Sequence, residues 1–196
     1  MKRIEGLVCA GETENNFKIL DEERRKKAIE NISEETVKFL YESNLIEAEE
    51  STEALEDSVV AWYYANTNRL DEINSDYVKN IQFFLMRRLN PRIAGRFRTS
   101  YCRVEGKHDT AYPKDIDELM KKWCEEFNET KNLEDEIKEE HIQFMKIHPF
   151  ADGNGRTGRI LFNIQRLNSK YQGLHLFLRV NRSARKGEDN YYGWFD

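Results

Sequence analysis

Apolar residues recur every three or four positions along most of this chain, the spacing that places them on one face of an α-helix. The clearest run follows Pro113 and contains Ile116, Leu119, Met120, Trp123, Cys124 and Phe127. Similar runs predict earlier helices that begin near Asp21, at Ser33, after Ser51 and at an N-cap formed by Ser75. Pro91 should stop the last of these. Two later helices are predicted, one ending near His148-Pro149 and one carrying Ile160, Leu161, Ile164 and Leu167.

Residues 92–113 break the helical period. Tyr101, Arg103 and Val104 precede Glu105-Gly106-Lys107, a pattern that indicates a short β-hairpin. Residues 1–20 have no period, residues 174–180 are ambiguous, and we expect the aromatic tail to pack on the core (Tyr191, Tyr192, Trp194, Phe195). The sequence therefore predicts an all-α bundle with one short hairpin, divided into a helical extension over 1–75 and a core domain over 76–196.

Composition narrows the class of protein. A formal charge of −5 argues against broad nucleic-acid binding, which needs a basic surface. No stretch approaches the roughly 20 apolar residues of a membrane span, and the N-terminus lacks the apolar core of a secretory signal. Cys9, Cys102 and Cys124 are odd in number and widely spaced, as is typical of reduced cytosolic thiols. We therefore expect a cytoplasmic protein without nucleic-acid or membrane partners.

The most informative segment joins two predicted helices over residues 148–159, His-Pro-Phe-Ala-Asp-Gly-Asn-Gly-Arg-Thr-Gly-Arg. Gly153 and Gly155 allow the backbone to approach a ligand, so successive N–H groups at the start of the second helix can hold an anion. Arg156 and Arg159 are three residues apart and can reach the same anion.

Two further side chains complete this predicted site. Asp152 would repel a phosphate unless a Mg²⁺ ion lay between them, bound by the carboxylate and by phosphate oxygens. His148 precedes the turn and can act as general base toward an incoming hydroxyl.

Each of these features has an ordinary structural explanation taken singly. A histidine at a helix end is usually structural, Gly-Asn-Gly is usually a turn, paired arginines usually face solvent, and an aspartate can cap the following helix. Their convergence within a dozen residues favours a site. Gly153, Gly155 and Gly158 also fit a dinucleotide-binding fingerprint, but the preceding segment is helical and no acidic residue follows at the required distance. A P-loop is absent, and no HExxH or cysteine pair supports zinc.

This segment resembles the Fic (filamentation induced by cAMP) motif, HxF-x-D/E-GNGR-x-x-R, at every fixed position. The resemblance implies a Fic-type helical bundle that uses ATP and Mg²⁺ to transfer AMP to a Tyr, Ser or Thr hydroxyl of a protein. It implies a role for each motif residue: His148 as base, Asp152 as Mg²⁺ ligand, Gly153, Asn154 and Gly155 as the phosphate anion hole, Arg156 and Arg159 for the outer phosphates, and Phe150 as the anchor of the turn.

The likeness extends over about residues 40–196. The segment from Ala94 through the predicted hairpin looks like the family's flap, which aligns the target over the phosphates, although an ordinary surface hairpin explains the local sequence equally well. Tyr191-Tyr192 falls where family members often have a tyrosine pair, but core packing explains this pair better.

Residues 43–48 resemble the family's inhibitory helix, S/T-x-x-x-E-G/N, and would give the 1–75 extension a regulatory role. The resemblance pairs Glu47 with Arg159 and so blocks productive binding of the γ-phosphate, while Ser43 braces the same helical face. Ala48 departs from the usual glycine or asparagine. Thr52 and Glu56 have the same spacing and form a rival candidate. Glu47→Gly should increase transfer, whereas Glu56→Gly should not.

Other functions within this resemblance stay open. The site could remove AMP from a modified protein, transfer another nucleotidyl or phosphoryl group, or serve a catalytically silent nucleotide sensor. The expected partner is a protein with a side-chain hydroxyl, the chain itself included, and the resemblance also allows a homodimer.

Overall fold

The computed structural model describes residues 22–23, 26–30, 32–68, 72–104, 108–130, 133–169, 173–177 and 194. Within these residues six long helices follow in chain order: α1 (Glu34–Ile46), α2 (Thr52–Thr67), α3 (Ser75–Met86), α4 (Ile116–Glu129), α5 (Glu134–Ile147) and α6 (Asn154–Leu167). A 3₁₀ turn, Pro113–Asp115, leads into α4. Residues 22–23 and 26–30 are also helical. None of the described helices is long and apolar enough to cross a bilayer.

The predicted all-α class is confirmed, and so is the hairpin. Strands β1 (Arg103–Val104) and β2 (His108–Asp109) pair antiparallel, with Arg103 opposite Asp109. Of the aromatic tail, Trp194 packs against Phe162 and Phe177 as expected. The predictions for residues 1–20, for Tyr191-Tyr192 and for Phe195 lie outside the described residues.

Side-chain caps account for the first three helix starts. Ser33 Oγ accepts a hydrogen bond from the Thr36 N–H at 3.2 Å, and Ser51 Oγ accepts one from the Ala54 N–H at 3.2 Å. Helix α3 differs from prediction by one residue, because Asn74 rather than Ser75 is its N-cap and accepts from the Tyr77 N–H at 2.9 Å.

The core lies around α6, which packs against α1, α2, α3 and α5. Every residue from Asn154 to Gln165 is buried, which explains why this helix carries no solvent-facing polar stripe. Helix α1 is anchored in the same core by Phe39, Leu40 and Ile46. A helix from the predicted N-terminal extension therefore forms part of the bundle rather than a detachable arm.

A buried carboxylate fixes the end of α3 against α2. Asp57 is fully buried and accepts hydrogen bonds from Arg87 at 2.9 Å and from Arg88 at 2.9 Å. Breaking a buried ion pair by removing one partner typically costs about 3–5 kcal/mol. This pairing holds the C-terminal half of α3, which carries Gln82 and Met86 toward the α5–α6 turn.

Candidate active site

The turn between α5 and α6 is built from two left-handed residues. His148 follows the last residue of α5 with φ 51° and ψ 59°, and its N–H donates to the Phe144 carbonyl at 3.0 Å. Gly153 immediately precedes α6 with φ 81°. Between them Phe150 is fully buried and packs against Phe97 with the rings tilted by 51° and their centroids 5.4 Å apart. The chain therefore reverses tightly, and His148 and the start of α6 lie at the same end of the helix pair.

The Asn154 side chain closes this turn. Its Oδ1 accepts from the Phe150 N–H at 2.9 Å, and its Nδ2 donates to the Phe150 carbonyl at 2.8 Å. The sequence assigned Asn154 to the anion hole. Because both ends of its amide group are engaged by Phe150, Asn154 offers an anion its backbone N–H, as does Gly155, whereas the Gly153 N–H already donates to Asp152 Oδ1.

Two α3 side chains support the turn from below. The Gln82 Nε2 donates to the Asp152 carbonyl at 3.1 Å, and its Oε1 accepts from the Gly95 N–H, at the base of the hairpin segment. A Cβ on Gly153 would lie 3.1 Å from the Met86 sulfur, so glycine suits this position both sterically and conformationally. Neither Gln82 nor Met86 could be identified from the sequence, because each lies about 70 residues before the motif.

Arg156 is a buried cation with unused donors. Only 4 % of the residue is exposed, and its Nη2 donates to the Met86 sulfur at 3.2 Å. Its Nε and Nη1 have no hydrogen-bond partner among the described residues. The nearest carboxylate contact is a loose one, 3.6 Å from Nη2 to Asp152 Oδ1. A buried guanidinium with unsatisfied N–H groups at a helix N-terminus fits an anionic ligand.

Asp152 lies at the rim of the turn, with 58 % of its side chain exposed, and it accepts a hydrogen bond from the Gly153 N–H. Within the described residues, no three His, Cys, Asp or Glu side chains come together as a metal site. A single exposed carboxylate fits Mg²⁺, which commonly takes one or two protein carboxylates and completes its shell with phosphate and water oxygens.

His148 is half-buried, and burial lowers the pKa of its imidazole, with the Arg98 guanidinium acting in the same direction. A backbone hydrogen bond at Met145 and, more weakly, the Glu47 and Asp152 carboxylates oppose this lowering of the pKa without reversing it. The ring is therefore neutral at physiological pH and free to accept a proton.

Arg159 is fully buried and bound to helix α1. Its Nε donates to Ser43 Oγ at 2.8 Å, and its Nη2 donates to the Ser43 carbonyl at 2.9 Å and to Glu47 Oε1 at 2.7 Å. Both predicted inhibitory residues thus contact the predicted arginine. The rival Glu56 pairs with Arg88 at 3.1 Å.

The Glu47 carboxylate is ionised in this arrangement. Burial alone would raise its pKa, but its ion pair and hydrogen bond with Arg159, with weaker attraction from Arg156 and His148, lower it below the usual range. A Cβ on Gly155 would overlap Glu47 Oε1 and lie 2.8 Å from Arg159 Nη1. The missing side chain of Gly155 is therefore what admits the carboxylate to the start of α6.

The left-handed backbone conformation at position 48 explains why a small residue follows Glu47. Helix α1 ends in a Schellman motif, in which the Glu49 N–H donates to the Asn44 carbonyl at 3.1 Å and the Ala48 N–H to the Leu45 carbonyl at 3.0 Å. Ala48 occupies the left-handed position of that motif with φ 57°. The departure from glycine or asparagine leaves the geometry intact but places an alanine where its Cβ is strained.

The geometry of the turn agrees with the comparison with known families. The Fic/DOC family model matches residues 72–165, which include α3, α4, α5, the whole motif and all but the last two residues of α6. Residues 72–165 belong to the Fic family. Helix α1, with Ser43 and Glu47, lies before the matched residues, and the predicted boundary at 75/76 stays a prediction.

Named relatives are similar over about half of the chain. The protein adenylyltransferase fic-1 of Caenorhabditis elegans is 31 % identical over 105 residues, which are 52 % of this chain and 20 % of that protein. Its Caenorhabditis briggsae counterpart is 29 % identical over 104 residues, 51 % of this chain and 20 % of that protein. The matches thus span about one fifth of these relatives.

Solved structures share the Fic fold. A Fic-1 fragment from C. elegans superposes with a TM-score of 0.54 at 18 % identity, over 78 % of this chain and 59 % of that one. A Fic-domain signaling protein from Bacteroides thetaiotaomicron gives a TM-score of 0.57 at 18 % identity, over 77 % of this chain and 72 % of that one. At this identity the similarity is one of fold.

Proposed function

We propose that this Fic chain is a protein adenylyltransferase that transfers AMP from ATP to a Tyr, Ser or Thr hydroxyl of a protein. The observation that carries the proposal is Arg156, a buried guanidinium whose Nε and Nη1 have no partner in the described residues, beside a neutral His148. A cation of this kind needs an anion, and a triphosphate supplies one next to the imidazole that accepts the hydroxyl proton. Similarity to proteins named adenylyltransferases supports the same reaction class.

In this proposal the chain's own groups divide the work. The backbone N–H groups of Asn154 and Gly155, joined by that of Gly153 once it releases Asp152 Oδ1, hold the inner phosphates at the start of α6, and Arg156 neutralises the outer ones. His148 takes the proton from the target hydroxyl as its oxygen forms the bond to the α-phosphorus and pyrophosphate leaves with the electrons of the broken bond. A Mg²⁺ ion held by Asp152 would supply charge neutralisation between phosphate oxygens.

We propose further that Glu47 restrains this reaction. Arg159 is fully buried and already bound by Glu47 and Ser43, so a γ-phosphate could use it only by displacing the carboxylate. Because Phe39, Leu40 and Ile46 anchor α1 in the core, undocking the helix would expose a large apolar surface. Release by rotation of the Glu47 side chain costs far less, since 34 % of it is already exposed.

The free energy of the proposed restraint follows from the contact between Glu47 and Arg159. A hydrogen bond to a charged group contributes about 1.5–3 kcal/mol, and the partial exposure of Glu47 favours the lower end. Displacing about 1.5 kcal/mol of pairing corresponds to roughly tenfold weaker ATP binding.

The test uses ATP labelled at either the α- or the γ-phosphate, a lysate as a source of targets, and the wild type beside Glu47→Gly, Glu56→Gly and Glu47→Gly/His148→Ala. We expect α-label on protein, increased by Glu47→Gly, unchanged by Glu56→Gly and lost with His148→Ala. Titration calorimetry should show ATP binding about tenfold tighter in Glu47→Gly.

Each contrary result removes a defined part of the proposal. γ-Label on protein would replace AMP transfer with phosphorylation, and ATP binding without label would replace the enzyme with a nucleotide sensor. Equal rates and equal ATP affinities for wild type and Glu47→Gly would remove the restraint and leave the transferase.

A second candidate is the reverse reaction, removal of AMP from a modified protein. It is favoured by the ionised Glu47 carboxylate, whose charge acts on both His148 and Arg159 and could orient a water molecule. Incubating an AMP-modified protein with wild type and Glu47→Gly distinguishes the two, because only the reverse reaction requires the carboxylate. The protein target, a dimer and a cytoplasmic location stay predictions.

A further inference from the structure

Arg98 is a buried arginine outside the motif that joins the hairpin segment to the turn. Only 6 % of it is exposed, and its guanidinium makes five hydrogen bonds within the described part of the chain. The acceptors are His148 O at 2.7 Å, Ile147 O at 3.3 Å, Ser100 O at 2.8 Å, Thr110 Oγ1 at 3.0 Å and Ala111 O at 2.6 Å.

Two of these acceptors lie at the C-terminal end of α5. The last carbonyls of a helix lack partners within it and carry the negative end of the helix dipole. Arg98 satisfies Ile147 and His148 there, although His148 is in the left-handed conformation that glycine usually supplies at this position. The guanidinium thus stabilises the C-terminal end of α5 by side-chain hydrogen bonds, at a position where the chain has no glycine.

The other three acceptors flank the hairpin on both sides. Ser100 precedes β1, and Thr110 and Ala111 follow β2. Backbone contacts reinforce the junction: the Arg98 N–H donates to the Pro149 carbonyl at 2.9 Å, and Phe97 forms an isolated bridge with Phe150. One side chain therefore connects the hairpin base to the backbone of His148.

Arg98 forms no ion pair with a carboxylate in the described residues; all five acceptors are neutral oxygens. Burying a cation costs free energy that a neutral side chain of the same shape would not cost. The planar guanidinium reaches all five acceptors, one from Nε, one from Nη1 and three around Nη2, where one N–H is shared between two acceptors. A lysine ammonium, with three donors on one nitrogen, cannot span them.

We propose that Arg98 is a positioning residue that fixes the His148 backbone and the hairpin base in one relative orientation, so that the base and the target segment are aligned together. This rests on the proposed function, since it takes His148 as the base. Arg98 contacts neither the motif arginines nor Asp152 in the described hydrogen bonds and ion pairs, so its loss should misalign the imidazole without emptying the phosphate site. Its charge also helps to lower the pKa of His148.

The test is made in the Glu47→Gly protein, with Arg98→Lys and Arg98→Ala as variants. Asn128→Ala is the matched control, because Asn128 also holds backbone, accepting from the Ile73 N–H and donating to the Ile73 carbonyl at 2.9 Å each, but it lies on α4. We expect kcat to fall about 100-fold in both Arg98 variants, as a small misplacement of a catalytic group can cause. The Kd for ATP should stay within about threefold of the parent value.

Two further readouts separate positioning from general destabilisation. Millimolar guanidinium should restore part of the kcat of Arg98→Ala but none of the loss in Arg98→Lys, where the side chain fills the space. Hydrogen exchange of the amides from Ile147 to Phe150 should be faster in both variants and unchanged in Asn128→Ala. Asn128→Ala should retain the kcat of the parent.

The proposal is overturned if ATP affinity falls in step with kcat, if Asn128→Ala loses kcat equally, or if exchange at residues 147–150 is unaltered. If the Glu47→Gly parent transfers no label at all, the proposed function fails. The exchange data then still decide whether Arg98 fixes the His148 backbone.

Discussion

The space beside Gly155 is filled by the Glu47 carboxylate, and this makes Gly155→Ala a direct test of the inhibitory contact. A Cβ there would overlap Glu47 Oε1 and approach Arg159 Nη1 to 2.8 Å. Forcing a methyl group into a packed site typically costs about 1–3 kcal/mol, while alanine gains up to about 1 kcal/mol over glycine in a helix. Since position 155 is in the first turn of α6, that gain is small. We expect Gly155→Ala to lower the free energy of unfolding by about 2 kcal/mol.

The same substitution should cost much less once Glu47 is removed. In Glu47→Ala the overlapping oxygen is absent, and the Arg159 terminus is the flexible end of a side chain that has lost one acceptor. The cost of Gly155→Ala should then drop to about 0.5 kcal/mol, a coupling of about 1.5 kcal/mol between the two positions.

Urea unfolding of the wild type, both single variants and the double variant at pH 7, without nucleotide, measures this coupling. Leu55→Ala serves as a control partner for Gly155→Ala, because Leu55 lies on α2 and its effect should add. Additive effects of Glu47→Ala and Gly155→Ala, within about 0.5 kcal/mol, would mean that the carboxylate does not occupy this space in solution.

Two other predictions concern local strain and pH. Ala48→Gly should raise the free energy of unfolding by about 0.5 kcal/mol, because relief of about 1–2 kcal/mol of left-handed strain exceeds the roughly 0.5–1 kcal/mol entropic cost of glycine; calorimetry checks this, and a lower melting temperature would contradict it. Burial lowers the pKa of His141 to about 3, so this ring stays neutral in the folded state. In the unfolded chain the ring is protonated when the pH falls below its usual pKa of 6.5. Stability supplied by neutral His141 is therefore complete above pH 6.5 and should decline by about 2 kcal/mol between pH 7 and pH 5. His141→Asn should remove that part of the decline in urea titrations at the two pH values, whereas an unchanged pH dependence would show that the ring is not buried in solution.

The motif turn was largely predictable from the sequence because its chemistry is contiguous. The glycines, the histidine and both arginines lie within a dozen residues, and helical periodicity on each side predicted a helix, a tight turn and a second helix. Pairing of Glu47 with Arg159 spans 112 positions. Only the resemblance to a known inhibitory helix suggested it, since spacing alone also allowed Glu56.

The supporting residues could not be predicted, because no local pattern distinguishes them. Gln82 belongs to no helical repeat and to no motif in the sequence. Its two contacts, with Asp152 and Gly95, form only after α3 has packed against the turn. In the sequence, Arg98 is one of several charged residues in an irregular segment. Its burial depends on carbonyls from α5 and from both sides of the hairpin, which the fold brings together.

Gly155 links the proposed restraint to the proposed phosphate site more closely than a shared arginine would. Its backbone N–H is among those expected to hold phosphate, and the gap left by its missing side chain is where the Glu47 carboxylate lies. That carboxylate is an anion at the N-terminus of α6, attracted by both Arg159 and Arg156. In the proposed function, Glu47 therefore occupies the position of the ligand's own charge, and restraint and ligand binding compete for one electrostatic site. The charges of Arg159 and Arg156, which keep Glu47 ionised, are the same charges that are proposed to attract the phosphates.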